Sequence, residues 1–76
     1  MAYSAYARMA DLLREVRLEA GLTQIELAAY IEKDQAYVSK YESGQRRLDV
    51  LEIWEICQAI GITLGEFVKR LEKVLK

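Results

Sequence analysis

TQIELAAYIEKDQAYVSKYES, residues 23–43, is the stretch that decides the fold of this chain. Thr23 and Glu26 match a capping box, in which each side chain hydrogen-bonds the backbone amide of the other residue at the start of a helix. Asp34 is a favourable N-cap for a second helix. Only the turn Glu32-Lys33 separates the two patterns. The stretch therefore predicts two short helices joined by a tight turn, over about residues 23–31 and 34–43.

Helical patterns also flank this pair. Before it, apolar side chains recur at three- and four-residue spacing and predict a first helix over about residues 4–20. After it, the motifs Asp49–Glu52 and Thr63–Glu66 predict a fourth helix that ends near residue 60 and a fifth over about 63–76. The predicted fold is all-α, with one domain of five helices over residues 1–76. The predicted buried stripe of the first helix consists of Met9, Leu12, Leu13, Val16 and Ala20.

Composition argues against several classes of protein. Histidine is absent and Cys57 is the single cysteine, so the commonest general base and metal ligand are missing and no intrachain disulfide can form. We therefore expect no enzyme, no metal site and no cofactor, and we expect Cys57 to be a small core residue. One free cysteine fits a reducing cytoplasm. No apolar run approaches the roughly 20 residues of a membrane span, and no separate ligand-sensing domain fits, so no small-molecule ligand is expected.

The outer face of the third predicted helix carries side chains suited to reading DNA bases. Only Val38 and Tyr41 have the spacing of buried residues in this helix. Glutamine can pair with adenine, lysine can reach guanine acceptors, and an alanine methyl can pack on a thymine methyl in the major groove. On an isolated helix such residues would be an ordinary solvated face, but beside the short preceding helix they predict base contacts. The predicted base-reading residues are Gln35, Ala36, Ser39 and Lys40.

Phosphate-binding candidates flank this face. The formal net charge of −1 argues against bulk nonspecific binding to nucleic acid. The segment 33–47 is nevertheless net positive, whereas acids such as Glu52 and Glu55 are expected to lie elsewhere, on the fourth helix. Two alternatives stay open: Tyr37 either packs on the second helix or donates its hydroxyl to a phosphate, and the arginines are either phosphate ligands or ordinary surface charges. The predicted phosphate contacts are Gln24, Tyr37, Ser43, Gln45, Arg46 and Arg47.

Two segments resemble the phage-repressor (Cro/XRE) family of helix-turn-helix regulators: Gly21-Leu22-Thr23-Gln24-x-x-Leu27-Ala28 and Tyr37-Val38-Ser39-Lys40-Tyr41-Glu42-Ser43-Gly44-x-Arg46. The resemblance covers about residues 8–71. It implies that the third helix enters the major groove of double-stranded DNA, and that Gln24 holds a phosphate. It also implies an ion pair between Arg17 and Glu42, which we interpret as structural. The family usually has glycine at the turn, where this chain has Glu32. A residue other than glycine rarely adopts positive φ, so we expect a slightly different turn.

Apolar residues in the last two predicted helices exceed what a small core can cover. The fourth helix is apolar nearly all round, and the fifth continues its apolar stripe for about three turns. A two-fold pair of chains would place two reading helices about 34 Å apart, which matches a palindromic site. The alternative is a monomer whose last turn frays. The predicted homodimer interface consists of Trp54, Ile56, Val68, Leu71, Val74 and Leu75.

These observations predict a sequence-specific transcriptional regulator, a repressor that binds a palindromic operator as a homodimer. The alternative from a different class is a protein-interaction module, such as an antitoxin that holds a partner protein. The negative net charge and the surplus of apolar surface favour that alternative, whereas the base-reading face and the Arg46-Arg47 pair favour DNA. A purely structural bundle is disfavoured, because the third helix is expected to contribute little to the core.

Overall fold

The computed structural model describes residues 4–76, so Met1–Tyr3 of the predicted domain lie outside the described residues. Those 73 positions, 4 through 76, contain helices and turns but no strand. The all-α prediction is confirmed, and each predicted helix is present with its capping residue just outside it. The helices are α1 (Ala5–Glu19), α2 (Gln24–Tyr30), α3 (Gln35–Glu42), α4 (Val50–Ile60) and α5 (Leu64–Leu75).

Local hydrogen bonds explain where the helices begin. Thr23, Asp49 and Thr63 each accept a bond from the backbone amide of the glutamate three residues later, and that glutamate accepts one from the amide of the capping residue. The Asp34 side chain accepts a bond from the Tyr37 amide at the start of α3. Because these bonds join residues close in sequence, the sequence alone indicates them.

Four helices are followed by a residue in the left-handed conformation. At the end of α2 the Lys33 amide donates to the Ala28 carbonyl at 2.9 Å, which satisfies a carbonyl that the helix leaves open. Glu32 therefore adopts the conformation that glycine supplies elsewhere in the chain, although a side chain makes it less favourable by about 1–2 kcal/mol. The left-handed residues are Gly21, Glu32, Gly44 and Gly61, with φ of 76°, 58°, 82° and 86°.

The core draws on every helix. Helix α3 packs against α1 and α2, while α4 packs against α2 and α5, and α5 also packs against α1. These contacts hold one face of α3 against α1 and α2 and leave its other face outside. The buried apolar residues are Ala10, Leu12, Leu13, Val16, Leu27, Ala28, Val38, Tyr41, Ile53, Ile56, Cys57 and Phe67.

Two expectations about the core are corrected. Ala20 is exposed, because α1 ends at Glu19 and the chain turns away before position 20 can reach the core. Helix α3 contributes more to the core than its few apolar residues suggested. Tyr41 is the largest of the fully buried side chains, and Val38 is equally inaccessible. A tyrosine has enough apolar surface to fill the centre of a small bundle.

The Tyr41 hydroxyl leads to a first prediction about stability. It is buried without a hydrogen-bond partner among residues 4–76, and burial raises the pKa of this phenol. An unsatisfied buried polar group destabilises a fold by about 1–3 kcal/mol. We expect Tyr41→Phe to raise the free energy of unfolding, measured by urea denaturation, by about 1 kcal/mol. The rest of the gain from removing the unsatisfied hydroxyl is offset by the small void that the substitution leaves.

The control for this prediction is Tyr37→Phe. The Tyr37 hydroxyl donates to Glu52 Oε2 at 3.2 Å, so its removal breaks a hydrogen bond and should lower the free energy of unfolding by about 0.5–1.5 kcal/mol. The two rings pack edge to face, with centroids 5.7 Å apart. Equal losses of stability in both variants would contradict the assignment of an unsatisfied hydroxyl to Tyr41.

Candidate nucleic-acid interface

Helix α3 has one face fixed in the protein and one face open. Val38, Tyr41 and Glu42 are buried against the other helices. The open face carries amide, hydroxyl, ammonium and methyl groups, which together can address every type of base edge in the major groove. The structure brings the four predicted base-reading residues together on this open face, and all four are exposed: Gln35, Ala36, Ser39 and Lys40.

A buried ion pair sets the position of α3 relative to α1. Arg17 Nε donates to Glu42 Oε2 at 2.7 Å and Arg17 Nη2 donates to Glu42 Oε1 at 3.0 Å. The remaining arm of the guanidinium donates to the Leu22 carbonyl at 2.7 Å. The hydrogen bond to Glu42 raises the pKa of Arg17, against the opposing effect of burial. A planar, two-point contact of this kind restricts both distance and rotation between the helices.

The ion pair is linked to the open face of α3 through two glutamines. Gln24 Nε2 donates to Glu42 Oε1 at 3.1 Å, and Gln35 Nε2 donates to Gln24 Oε1 at 3.0 Å. The first residue of α2 therefore holds the first residue of α3. The sequence assigned Gln24 to phosphate and Gln35 to bases but did not reveal this link. The indication of this link in the sequence was that Gln24 and Gln35 each occupy the first position of a helix, one residue after its N-cap.

The segment after α3 is tied to the end of that helix. The backbone amides of Gln45 and Arg46 both donate to the Lys40 carbonyl, at 2.9 and 3.2 Å, and the Ser43 hydroxyl donates to the same carbonyl at 3.0 Å. The Tyr6 hydroxyl of α1 donates to the Arg46 carbonyl at 2.7 Å. These bonds hold the predicted phosphate ligands at a fixed distance from α3.

Aromatic rings accompany the basic residues of this segment. The Arg47 guanidinium carbon lies 4.7 Å from the centre of the Tyr6 ring, and that of Arg46 lies 4.8 Å from the centre of the Tyr37 ring. Lys33 Nζ lies 5.3 Å from the Tyr37 ring as well. Stacking on a ring restricts a long side chain while its charge stays available. Three cations are thereby gathered around the two ends of α3.

Tyr37 has a defined environment in the structure without DNA. Its ring packs on Tyr41 within α3, and its hydroxyl donates to Glu52 at 3.2 Å. Burial, followed by the Glu52 carboxylate, raises the pKa of Tyr37 to about 12, so the phenol is a donor at neutral pH. Glu52 itself also contacts Arg46, with Nη2 to Oε2 at 3.0 Å. The expectation that Glu52 lies apart from the basic segment is therefore wrong.

The backbone amide of Asp49 is the main cause of a lowered pKa at Glu52, and Arg46 and Tyr37 lower it further. The carboxylate is therefore charged at neutral pH. The sequence indicated Glu52 as a capping residue and as an acid away from the basic segment. Nothing in the spacing of Tyr37, Arg46 and Glu52 indicated that they meet, because the loop after α3 brings them together.

The predicted interface residues in the last two helices have different environments. The exposed members, with 37% to 46% of each residue accessible, are Trp54, Val68, Val74 and Leu75. Leu71 is half-buried and packs against the core. The prediction that Ile56 lies in the dimer interface is wrong. Ile56 is 1% exposed and belongs to the core, because the side of α4 that carries it faces α2 and α5. The apolar residues of α4 surround the helix, so their pattern could not distinguish its inner from its outer side.

Three features of residues 4–76 bear on other kinds of site: the thiol, the length and polarity of the helices, and the grouping of possible metal ligands. Cys57 is buried, and burial raises the pKa of its thiol. The described helices are all too short or too polar to cross a membrane. Within the same part of the chain, histidine, cysteine and acidic side chains form no group of three or more that could hold a metal ion.

Comparisons with known proteins identify a helix-turn-helix family. A family model described as helix-turn-helix, HTH_3, matches residues 13–67. Control protein C.MunI from Mycoplasma sp is 34% identical over 67 residues, which is 87% of this chain and 90% of that protein.

Two solved structures share the arrangement of helices. An XRE-family like protein from Pseudomonas syringae pv. tomato str. DC3000 is 42% identical with a TM-score of 0.84, and the match covers 95% of this chain and 88% of that one. The restriction-modification controller protein C.Esp1396I, solved as a tetramer in complex with its natural 35 base-pair operator, is 26% identical with a TM-score of 0.86. That match covers 99% of this chain and 100% of the other.

Proposed function

The chain belongs to the helix-turn-helix family, and from that premise we propose that it is a transcriptional regulator that binds a specific double-stranded DNA site as a homodimer. The observation that carries the proposal is the open face of α3, where Gln35, Ala36, Ser39 and Lys40 are exposed on a helix whose other face is fixed by buried residues. A helix placed this way can enter the major groove without rearrangement of the core.

The proposed contacts divide into two groups. Side chains on the open face of α3 read bases, whereas groups at its two ends hold phosphates. Gln24 keeps Gln35 in place and presents its amide to the backbone of DNA, and Arg46 and Arg47 hold phosphates beyond the end of α3. Ser43, Gln45 and Tyr37 complete the proposed phosphate side. The distribution of charge supports the assignment of phosphate contacts to the ends of α3, since three cations lie there in a chain with net charge −1.

A two-fold dimer accounts for the exposed apolar side chains of α4 and α5. We assign Trp54, Val68, Val74 and Leu75 to the contact between the two chains, with Leu71 at its base. Two reading helices about one turn of DNA apart would then face a palindromic operator. The operator complex of C.Esp1396I supports this arrangement, because a related fold assembles on DNA there.

The same relatives support a proposal for the biological role. C.MunI is a control protein and C.Esp1396I a restriction-modification controller. We propose that this chain acts as a repressor at its own operator, as one domain over residues 1–76, in the cytoplasm and without catalytic activity. Concentration, through the monomer–dimer equilibrium, would then set the strength of repression.

In vitro selection from random duplexes, followed by sequencing, tests the proposed function. We expect an enriched motif with two-fold symmetry, because a homodimer presents the same face twice. Selection should be repeated at two salt concentrations, since phosphate contacts weaken with salt while base preferences persist. No enrichment at low salt would contradict the proposal and favour a protein-interaction module such as an antitoxin.

Two substitutions should separate base reading from phosphate binding. Gln35→Ala should weaken binding to the selected site by about 1–3 kcal/mol and relax the preference at one base position of each half-site. Arg46→Ala should weaken binding to all duplexes alike and reduce the salt slope by about one. Titrations by fluorescence anisotropy on matched and mismatched duplexes measure both effects. If the two variants lost affinity uniformly across duplexes, the division of roles would be wrong.

A further inference from the structure

Glu52 occupies the donors that the proposed function assigns to a phosphate. Its Oε2 atom accepts from the Tyr37 hydroxyl at 3.2 Å and from Arg46 Nη2 at 3.0 Å. Its other oxygen accepts from the Asp49 amide at 2.9 Å as part of the helix cap. A carboxylate oxygen that receives a phenol and a guanidinium resembles, in charge and in hydrogen bonding, an oxygen of a DNA phosphate.

Arg46 and Tyr37 are positioned by contacts other than Glu52. The backbone of Arg46 is held by Lys40 and Tyr6, its Nη1 atom donates to the Arg47 carbonyl at 2.9 Å, and its guanidinium stacks on the Tyr37 ring. The Tyr37 ring in turn packs on Tyr41. Removal of Glu52 would leave these groups in place. A role for Glu52 as the residue that orients them is therefore not required by the structure.

The ion pair between Glu52 and Arg46 is also accessible to a competing anion. About two fifths of the Arg46 side chain and a quarter of the Glu52 side chain are accessible to solvent. Ion pairs at such sites contribute little net stability, so a stronger anion can displace the carboxylate. The carboxylate is charged at neutral pH, and it would remain near the incoming phosphate and repel it.

We propose that Glu52 is an internal competitor of the DNA phosphate for Arg46 and Tyr37, and that it limits affinity for DNA of any sequence. The proposal rests on the proposed function of this face. The competition acts on the phosphate side and not on base edges, so it lowers affinity for unrelated DNA as much as for the operator. The ratio of the two affinities is unchanged, and the protein stays unbound at low concentrations where a chain without Glu52 would already be on DNA.

Glu52→Gln tests the proposal, because glutamine keeps the cap and removes the charge. Affinity for the selected site and for an unrelated duplex should both increase about three- to tenfold at low salt, and the salt slope should stay near that of the parent, because Arg46 contacts a phosphate in both complexes. In an Arg46→Ala background most of that increase should disappear. Far-ultraviolet circular dichroism should match the parent, since the bond to the Asp49 amide persists, while the free energy of unfolding should fall slightly, because an amide nitrogen cannot accept from Tyr37 or Arg46.

Glu66→Gln is the matched control. Glu66 holds the same capping position at the start of α5, where Oε1 accepts from the Thr63 amide at 3.0 Å, and its substitution makes the same change in net charge. Unchanged or weaker binding by Glu52→Gln, or an increase no larger than that of Glu66→Gln, would overturn the proposal. If the parent protein bound the selected duplex no better than an unrelated one, the proposed function itself would fail instead.

Discussion

Glu42→Ala is expected to lower the free energy of unfolding by about 3–5 kcal/mol, because it leaves the buried guanidinium of Arg17 without its counter-charge. Arg17 is only 6% exposed and directs two nitrogens at Glu42, so solvent cannot replace the lost carboxylate. Globular domains of this size have a total stability of about 4–11 kcal/mol. The variant should therefore be partly unfolded at 37 °C, and urea denaturation followed by circular dichroism measures the loss.

Two further variants separate the effect of the charges of this ion pair from the effect of the space that its side chains fill. Glu19→Ala breaks an exposed pair with Arg70 and should change stability far less, because water solvates the freed charge. The double variant Arg17→Met, Glu42→Leu should recover most of the stability, since apolar residues can replace a buried pair. It should still bind DNA weakly, because Gln24 has lost its anchor. A stable Glu42→Ala protein would contradict the argument.

Val68→Glu combined with Leu75→Glu is expected to convert the protein to a monomer and to weaken binding to a palindromic site about a hundredfold. Two charges placed in an apolar contact lose hydration without gaining partners. A monomer also loses the high effective concentration that the second half-site provides in a dimer. Sedimentation equilibrium measures the assembly, and anisotropy titration on the palindrome measures the affinity.

The choice of residues follows from the structure. Leu71 packs against the core, so a charge there could unfold the chain as well as dissociate the dimer, and the two effects could not be separated. Val68 and Leu75 are exposed, so charges there should affect the dimer alone. The control is Leu18→Glu combined with Ile25→Glu, two exposed apolar residues on α1 and α2, and it should sediment like the parent. The dimer proposal fails if the parent stays monomeric at high micromolar concentration, or if the Val68, Leu75 variant assembles like the parent.

The sequence predicted the helices well because their limits depend on nearby residues. The capping motifs beginning at Thr23, Asp49 and Thr63 join residues three apart, and the α1 stripe through Leu12, Leu13 and Val16 repeats every turn. Such signals are complete within a few residues. The open face of α3 could be predicted for the same reason, since one helix contains all of it.

Features that depend on distant residues could not be predicted. The pattern of α4 is apolar on all sides, so only packing against α2 and α5 shows that Ile56 is inside and Trp54 outside. The hydroxyl of Tyr37 meets Glu52 because the intervening loop returns to α3, and no periodicity encodes that loop. The same applies to Arg70, which reaches Glu19 across the bundle from α5. These contacts require the tertiary arrangement.

The separation between the two faces of α3 has a consequence for how such proteins diverge. The side chains of Ala36, Ser39 and Lys40 are exposed, whereas Val38, Tyr41 and Glu42 hold the helix in place. Substitutions at exposed positions usually change stability by no more than about 0.5 kcal/mol. With the base-reading role proposed for these three positions, a lineage could acquire a new operator through them while its fold is preserved. Gln35 should change more slowly, because its amide is bound to Gln24 and each new residue there must suit both DNA and protein.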